Sequence, residues 1–426
     1  MDNVVNGKKR LHVVIVGSGW AGYTLCADLD LTRHQVTVVS PEPTSTYTPL
    51  LASAVCGLFD FRITEEPIRR KSRPVTLYQA TVENVDWSSK TLHCTSQIAS
   101  FDNVTFEINY DVVVFAQGCK GNTFGIPGVE EHSLKVRTTK DAVVLRQKIS
   151  DAIELANLPT TSPERCRDLL HIAIVGGGAT GVEIAAEVSD TVDRDLKPLY
   201  PNLKDYFSIS IYDVAPNILA MFDKDLSTYA MESFRHRGVE IATGTQIRSV
   251  NEGRLTTEQG TEIGFGVLIW ATGNAAVPLT SKLDCKKTTR GLVRILTDAH
   301  LRVLDSEGLP IPGVYAIGDA ADIEGTSLPT TAEVAVQKAK YLGKALSDST
   351  GSKSAKPFRF SEKRMVAYLG ASQGIWKRDK VERRGRLAWL AWRSTSISWT
   401  RNPRKKILIL VNWMLNYFYG KDIARN

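Results

Sequence analysis

One pattern of apolar and polar positions occurs twice in the chain. Residues Leu11–Val16 form a nearly unbroken apolar run, which predicts a strand buried on both faces. The run enters Gly17-Ser18-Gly19-Trp20-Ala21-Gly22, then a helix-like stretch to about Leu31, then a second apolar run at Gln35–Ser40. His171–Val175 starts the series again. Gly176-Gly177-Gly178-Ala179-Thr180-Gly181 follows, then a helix through about Asp193 and a strand, Ser208–Tyr212, that closes on Asp213. An insertion with two prolines, Arg194–Phe207, lengthens the second copy. Two short apolar runs, Val112–Phe115 and Val267–Trp270, end in Ala116-Gln117-Gly118 and Ala271-Thr272-Gly273, and Val314–Ile317 leads into Gly318-Asp319. Strand, glycine turn, helix, strand is the opening of a nucleotide-binding unit. Two such openings predict an α/β chain with two Rossmann-like dinucleotide-binding domains.

The glycines have separate tasks in such a turn. Gly17 permits the tight bend, Gly19 lets a pyrophosphate approach the backbone, and Gly22 lets helix and strand pack closely. The helix N-terminus then favours the anion. Gly176, Gly178 and Gly181 repeat the arrangement. A single such motif is as often a plain turn, but its recurrence in strand–turn–helix context argues against chance. Asp213 has two readings: a carboxylate that accepts from a ribose 2′-hydroxyl and repels a 2′-phosphate, favouring NADH over NADPH, or a solvated strand end. Asp319 likewise is either an acceptor for a ribityl hydroxyl or part of a turn.

Composition narrows the chemistry. The chain has 426 residues, 43% hydrophobic and 23% charged, enough for two or three domains. No apolar run approaches the roughly 18 residues of a spanning helix. Met1–Arg10 is short and polar, and reads as neither a secretory signal nor a transit peptide. The cysteines at 26, 56, 94, 119, 166 and 285 are too dispersed for a dithiol centre or a zinc site. Cys56 as a peroxidase or oxidase thiol is a weak reading beside a structural one. His12 and His171 each open a strand and read as structural. Neither a metal-spaced histidine cluster nor a nucleophile elbow is present, so a bound cofactor must carry the hard chemistry.

Charge is unevenly placed. The net charge is +7, yet from Lys353 to Asn426 there are 18 Lys and Arg against 4 Asp and Glu, with five of the eight tryptophans. Asp348–Pro357 reads as a linker before this tail. Within the tail, 405–419 is apolar almost all round and is flanked by Arg401, Arg404, Lys405, Lys406, Lys421 and Arg425. An amphipathic helix at a membrane surface is the preferred reading. A helix packed on the body or in a homodimer interface is the alternative. Nucleic acid as a partner fits poorly beside the nucleotide motifs.

Taken with Ser40-Pro41, Tyr47-Thr48-Pro49-Leu50-Leu51, Asn122-Thr123-Phe124-Gly125-Ile126-Pro127-Gly128-Val129, Tyr315-Ala316-Ile317-Gly318-Asp319 and 328–335, these motifs resemble the type II, or alternative, NADH dehydrogenases. The likeness runs from Leu11 to the end, through Ala367-Tyr368-Leu369-Gly370, Trp392-Arg393, Trp413 and Gly420-Lys421-Asp422-Ile423. It implies an FAD enzyme that passes a hydride from NADH to the flavin and two electrons to a quinone, without pumping protons. It also implies roles. Gly17, Gly19 and Gly22 would hold the FAD pyrophosphate, Ser40 and Pro41 the adenosine ribose, and Asp319 the flavin chain, with Gly118, Gly318 and Gly273 lining the cofactors. Thr48 would lie by the isoalloxazine and Glu183 where nicotinamide meets flavin. Residues 332–337 would line the quinone passage.

Three departures stand out. Glu333 replaces a customary Gln while Gln337 is kept, Arg137 replaces a customary Lys, and Thr44-Ser45-Thr46 replace aromatics. The expected organisation is an FAD-binding domain of 1–135 and 270–352, an NADH-binding domain of 136–269, and a membrane-association or dimer segment of 353–426. A peripheral enzyme on the cytoplasmic side of a membrane is expected. Two alternatives remain open at this level: a cytosolic flavoenzyme acting on a soluble quinone or other metabolite, and an NADH-responsive flavin sensor.

Overall fold

The computed structural model describes residues 4–5, 8–71, 73–98, 101, 103–347, 356–362, 365–378 and 381–421. Most of the expected linker Asp348–Pro357 lies outside them, as do Asp422, Ile423 and Arg425 and part of Met1–Arg10. The chain divides into two compact units. The first comprises Met1–Thr46, Glu66–Lys120 and Asn274–Ser361; the second comprises Tyr47–Glu65, Gly121–Gly273 and Glu362–Asn426.

The first unit is built on a ten-stranded sheet. Leu11–Val16 lies at its middle, parallel to His34–Ser40 on one side and to Val112–Phe115 on the other. Pro310–Ala316 extends the parallel core beyond Val112–Phe115, and Thr76–Asp86 extends it beyond His34–Ser40. Antiparallel strands flank this parallel core on each side. The apolar runs follow from burial on both faces. Val13 and Ile15 enter one core cluster and Val14 and Val16 the other. Val112 and Val114 alternate with Val113 and Phe115 in the same way. Each such side chain contributes roughly 1.5–3 kcal/mol on burial. The glycine-turn helix, Trp20–Asp28, is shorter than its pattern suggests. Leu29 turns extended, and the Asp30 carboxylate takes the Thr32 N–H at 2.9 Å, a local turn that competes with helix.

The second unit repeats the plan on four parallel strands: Val239–Thr243, Ser208–Asp213, His171–Val175 and Val267–Trp270, in that order. Its glycine-turn helix is Ala179–Thr191, continued by a π-turn at Val192–Leu196 and a last turn at Lys197–Leu199. Pro198, lacking an N–H, falls in this widened end. His12 and His171 are satisfied within their own units. His12 Nε2 meets Thr37 Oγ1 at 2.9 Å, and His171 meets Gly264 O at 2.6 Å and Ser210 Oγ at 2.9 Å.

The basic tail is not a separate body. Strands Met365–Gly370, Gln373–Arg378 and Val381–Gly385 form an antiparallel sheet, followed by helices Arg386–Trp399 and Pro403–Tyr419. Tyr368, Leu369, Ile375 and Trp392 share one core with Ile174, Val182 and Val188 of the second nucleotide unit. Residues 47–65 join this unit as well. Sequence spacing does not show which core a segment's apolar face will find. Polar contacts reinforce the join. Asp190, buried on the glycine-turn helix, pairs with Arg237 at 2.5 Å, accepts from the Tyr368 hydroxyl, and takes the Ala371 N–H at 2.9 Å. Arg237 also donates to Leu369 O at 2.8 Å. Lys421 donates to Thr191 Oγ1 at 2.7 Å. Arg393 lies between the Trp389 and Trp413 rings, 4.6 and 4.3 Å from their centroids, linking the two terminal helices.

Removing one partner of a buried ion pair leaves the other unpaired. Asp190→Ala is therefore expected to cost about 3–5 kcal/mol. Chemical denaturation checks this, and an unchanged midpoint would show that the pair does not join tail to nucleotide unit.

Candidate active site

In each unit the sequence forces the strand–helix junction. Gly17 sits at φ 106° and Gly176 at φ 114°, a region that side-chain-bearing residues rarely adopt. A Cβ on Gly22 would lie 2.0 Å from Gly17 O, and one on Gly181 would lie 2.0 Å from Gly176 O. Helix and turn touch backbone to backbone. Gly19 and Gly178, by contrast, cap their helices without a side-chain bond, and a Cβ there would meet nothing within 4 Å. Each turn thus opens a helix N-terminus onto free space, the cradle a pyrophosphate requires. Both cradles fit a dinucleotide.

In the first unit, Gly318 and Asp319 begin a short turn after the strand Pro310–Ala316. Cys119 Sγ lies 3.6 Å from Asp319 Oδ2, and Gly118 bends open at φ 65°. The exposed Pro41 follows Ser40, which is buried with its hydroxyl 2.8 Å from Ser18 Oγ. Ser18 Oγ also lies 3.0 Å from both Glu42 O and Thr44 O. This knot fixes the loop beyond the second strand. Glu333 and Gln337 are one turn apart on the helix Ala332–Ser347, with Gln337 Nε2 donating to Glu333 Oε1 at 2.5 Å. The Gln337 amide also clasps the Ser361 backbone, giving to its carbonyl at 2.8 Å and accepting from its N–H at 3.1 Å.

In the second unit, the Asp213 carboxylate takes the Gly177 N–H at 2.5 Å and the Ala215 N–H at 2.7 Å. It pins the glycine turn to the end of the neighbouring strand, and each carboxylate oxygen has a second lone pair. Gly273, at φ 71°, lies under the Phe124 ring, where a Cβ would be 2.5 Å from Cζ. Arg137 Nη2 approaches Gly273 O at 3.5 Å. Thr48 is exposed on a short turn, Thr48–Leu50, that leads into the helix Leu51–Val55.

Glu183 has the most distinctive surroundings. Trp392 Nε1–H donates to its Oε1 at 3.0 Å, and the Trp392 ring stacks on Tyr368 at 4.8 Å and 18°. Burial pushes the Glu183 carboxyl up to about 7, against the bonds from Trp392 and the Tyr368 N–H, with the Glu187 charge adding to the rise. Glu187, one turn on, accepts from the Ser53 hydroxyl at 2.7 Å and is itself raised by burial. Tyr47, next to Thr48, is raised by burial and by the Glu183 charge, and its hydroxyl donates to Ser396 O at 3.0 Å. Such a carboxyl can hold or release a proton at Oε near neutral pH. Glu183, Glu187 and Asp190 are spaced as one helix face, a signal visible in the sequence but not weighed there. Trp392 and Ser53 have no such signal. Burial pushes the Cys56 thiol up to about 12, so it stays protonated at neutral pH and makes a poor nucleophile.

Residues 11–339 match the family described as pyridine nucleotide-disulphide oxidoreductase. A probable NADH dehydrogenase of Dictyostelium discoideum is 33% identical over 418 residues, covering 97% of this chain and 90% of that protein. The external NADH-ubiquinone oxidoreductase 2, mitochondrial, of Saccharomyces cerevisiae is 32% identical over 460 residues, covering 98% and 83%. The NDH2 of Plasmodium falciparum, solved in complex with NADH, superposes with a TM-score of 0.90 at 24% identity, covering 98% of this chain and 100% of that one. That likeness bears on the fold.

The raised Glu183 value fixes a sign. Its favourable contribution to stability is full below the ordinary value of 4.5 and is lost as pH rises through about 7. Glu183→Gln is expected to flatten the pH dependence of thermal stability across that window. Trp392→Phe, which removes a bond favouring the carboxylate, is expected to move the titration higher. A carboxyl infrared band titrating near 4.5 in the parent protein would contradict both.

Proposed function

The chain belongs to the type II NADH dehydrogenases, within the pyridine nucleotide-disulphide oxidoreductase family, and we propose from this the division of labour among its residues. It is an NADH:quinone oxidoreductase. FAD, when bound, supplies acceptance of a hydride from NADH and delivery of two electrons to the quinone. The first glycine turn, Gly17, Gly19 and Gly22, holds the FAD pyrophosphate, with Ser40 and Pro41 by the adenosine ribose, Gly118 and Gly318 giving backbone clearance, and Asp319 on the flavin chain. Thr48 lies by the isoalloxazine. The second turn, Gly176, Gly178 and Gly181, holds NADH, and Gly273 lines its path. Asp213, already tied to two N–H groups, offers its remaining lone pairs to a ribose 2′-hydroxyl and repels a 2′-phosphate.

Glu183 carries the reading most directly. A carboxyl poised near neutrality and oriented by an indole N–H is suited to positioning a nicotinamide without imposing a fixed charge. Glu333, held by Gln337, sets a carboxyl group on the quinone side in place of a customary Gln.

The terminal helix gives the setting. Ile409 is its one fully buried side chain among the described residues, while Ile407, Leu410, Met414, Tyr417 and Phe418 are exposed, Tyr417 by 84%. Arg404, Lys405 and Lys406 stand in its first turns. Among the described residues no helix is long and apolar enough to cross a membrane. An apolar face beside basic residues suits an anionic lipid surface, and relatives named as mitochondrial point to a mitochondrial membrane. The enzyme sits on its cytoplasmic side.

The test is NADH oxidation by purified, FAD-loaded protein with a short-chain ubiquinone, against oxygen alone. Fast quinone-dependent turnover is expected with NADH, and a kcat/KM at least about tenfold lower with NADPH. Glu183→Gln is expected to slow flavin reduction by about 10²-fold in stopped flow. Flavin reduction without quinone turnover would remove the quinone assignment and point to Glu333. Vesicles containing anionic lipid are expected to sediment the full chain, and Leu410→Asp with Phe418→Asp to release it. Retention of the double variant, or a dimer held by this face in its place, would refute the membrane surface.

A further inference from the structure

The flavin unit holds a fully buried lysine that the functions above do not use. Lys338 follows Gln337 on the helix Ala332–Ser347 and is 0% exposed. Among the described residues its Nζ gives one hydrogen bond, to Ala321 O at 3.0 Å. An ammonium has three donors, and burying it without full compensation is costly. The neighbourhood shows why the charge is not already neutralised. Arg294 and Asp322, both buried, form a closed pair. Asp322 Oδ1 also takes the N–H groups of Ile323 and Leu328 at 3.1 Å each, while Arg294 donates to Leu328 O at 3.0 Å from both terminal nitrogens. That pair sums to zero. Among the described residues, the other opposite charge acting on Lys338 is Asp319, one residue before Ala320 in the turn that Lys338 secures through Ala321. Burial pushes the Lys338 ammonium down to about 8, Asp322 and Asp319 hold it up, and Arg294 pushes it further down.

We propose that Lys338 is a positioning residue for the flavin: it fixes the turn that presents Asp319 and provides the buried positive charge that favours the reduced cofactor. Hydride transfer to a neutral flavin brings two electrons and one proton, and so adds one negative charge. With Lys338 in place, Asp319, Asp322, Arg294 and Lys338 sum to zero. Without it they sum to one negative charge in a low-dielectric interior, which opposes reduction. The carbonyl bond serves the other half of the role, since a turn that loses it presents Asp319 less well to a ribityl hydroxyl. The inference rests on FAD occupying this unit.

The test uses the full chain loaded with FAD, carrying Lys338→Met or Lys338→Gln. Met removes both the charge and the bond. Gln removes the charge and keeps a donor for Ala321 O. The flavin midpoint potential, measured by dye equilibration, is expected to fall in both variants. The FAD dissociation constant is expected to rise about tenfold in Lys338→Met, the size of one lost buried hydrogen bond, and less in Lys338→Gln. A potential equal to that of the parent protein in both overturns the charge role, and equal FAD affinity in both overturns the positioning role. Should Lys338→Met fail to fold, Lys338→Gln alone decides the potential. A parent chain that binds no FAD would defeat the functional assignment itself, an outcome distinct from a parent that binds FAD and variants that match it.

Discussion

A methyl group has no room at Gly22 or at Gly181, and the architecture follows from that exclusion. Each helix begins in backbone contact with the turn that precedes it, because a Cβ would stand 2.0 Å from a carbonyl oxygen. The close approach directs each helix N-terminus at the space beside Gly19 or Gly178. It also requires the adjoining strands to be buried on both faces, since a helix so near the sheet covers one of them. The unbroken apolar runs Leu11–Val16 and His171–Val175 meet that requirement. The nucleotide cradle and the packing core are thus two aspects of one constraint.

The second glycine-turn helix bears a further demand that the first lacks. Its apolar positions serve the core, while Glu183, Glu187 and Asp190 run along one face and need partners away from water. The C-terminal segment supplies several. Trp392 serves Glu183, Tyr368 serves Asp190, and Lys421 lies close enough to favour the charged form of Glu187. A basic, tryptophan-rich tail on an otherwise acidic chain is therefore partly a set of counter-groups for one buried helix face. Its outer face, with Tyr417 and Phe418 exposed, is left for something else.

What the sequence makes legible is whatever has a period or a compulsory residue. Strand positions follow from apolar runs, the turns from glycines, and the nucleotide units from their repetition. The helix end at Asp28 was less legible, because a single Asp30 side chain redirects the backbone. The π-turn at Val192–Leu196 left no periodic trace, and the insertion that begins within it, Arg194–Phe207, read as a plain interruption. The surroundings of Glu183 were harder still. Trp392 is 209 residues away in the chain, and its approach is decided by tertiary packing. Asp213 was legible as an important carboxylate, yet its bonds to Gly177 and Ala215 show it holding the turn itself, a role that spacing alone does not separate from ribose binding.

Glu183 and Asp190 stand seven residues apart on one helix face and are treated oppositely by their surroundings. Asp190 has an Arg237 guanidinium, a tyrosine hydroxyl and a backbone N–H as partners inside the protein. Glu183 has an indole N–H and one backbone N–H, with another carboxylate nearby and no cation among the groups that shift it. A carboxylate in that position is under-supported, and its neutral form is favoured. The same chemical group is thereby a structural anchor at one end of the face and a proton-exchanging group at the other. The difference is carried by which segment packs against each turn of the helix. That is why the tail, which holds no nucleotide motif, bears on the site as directly as the glycine turns do.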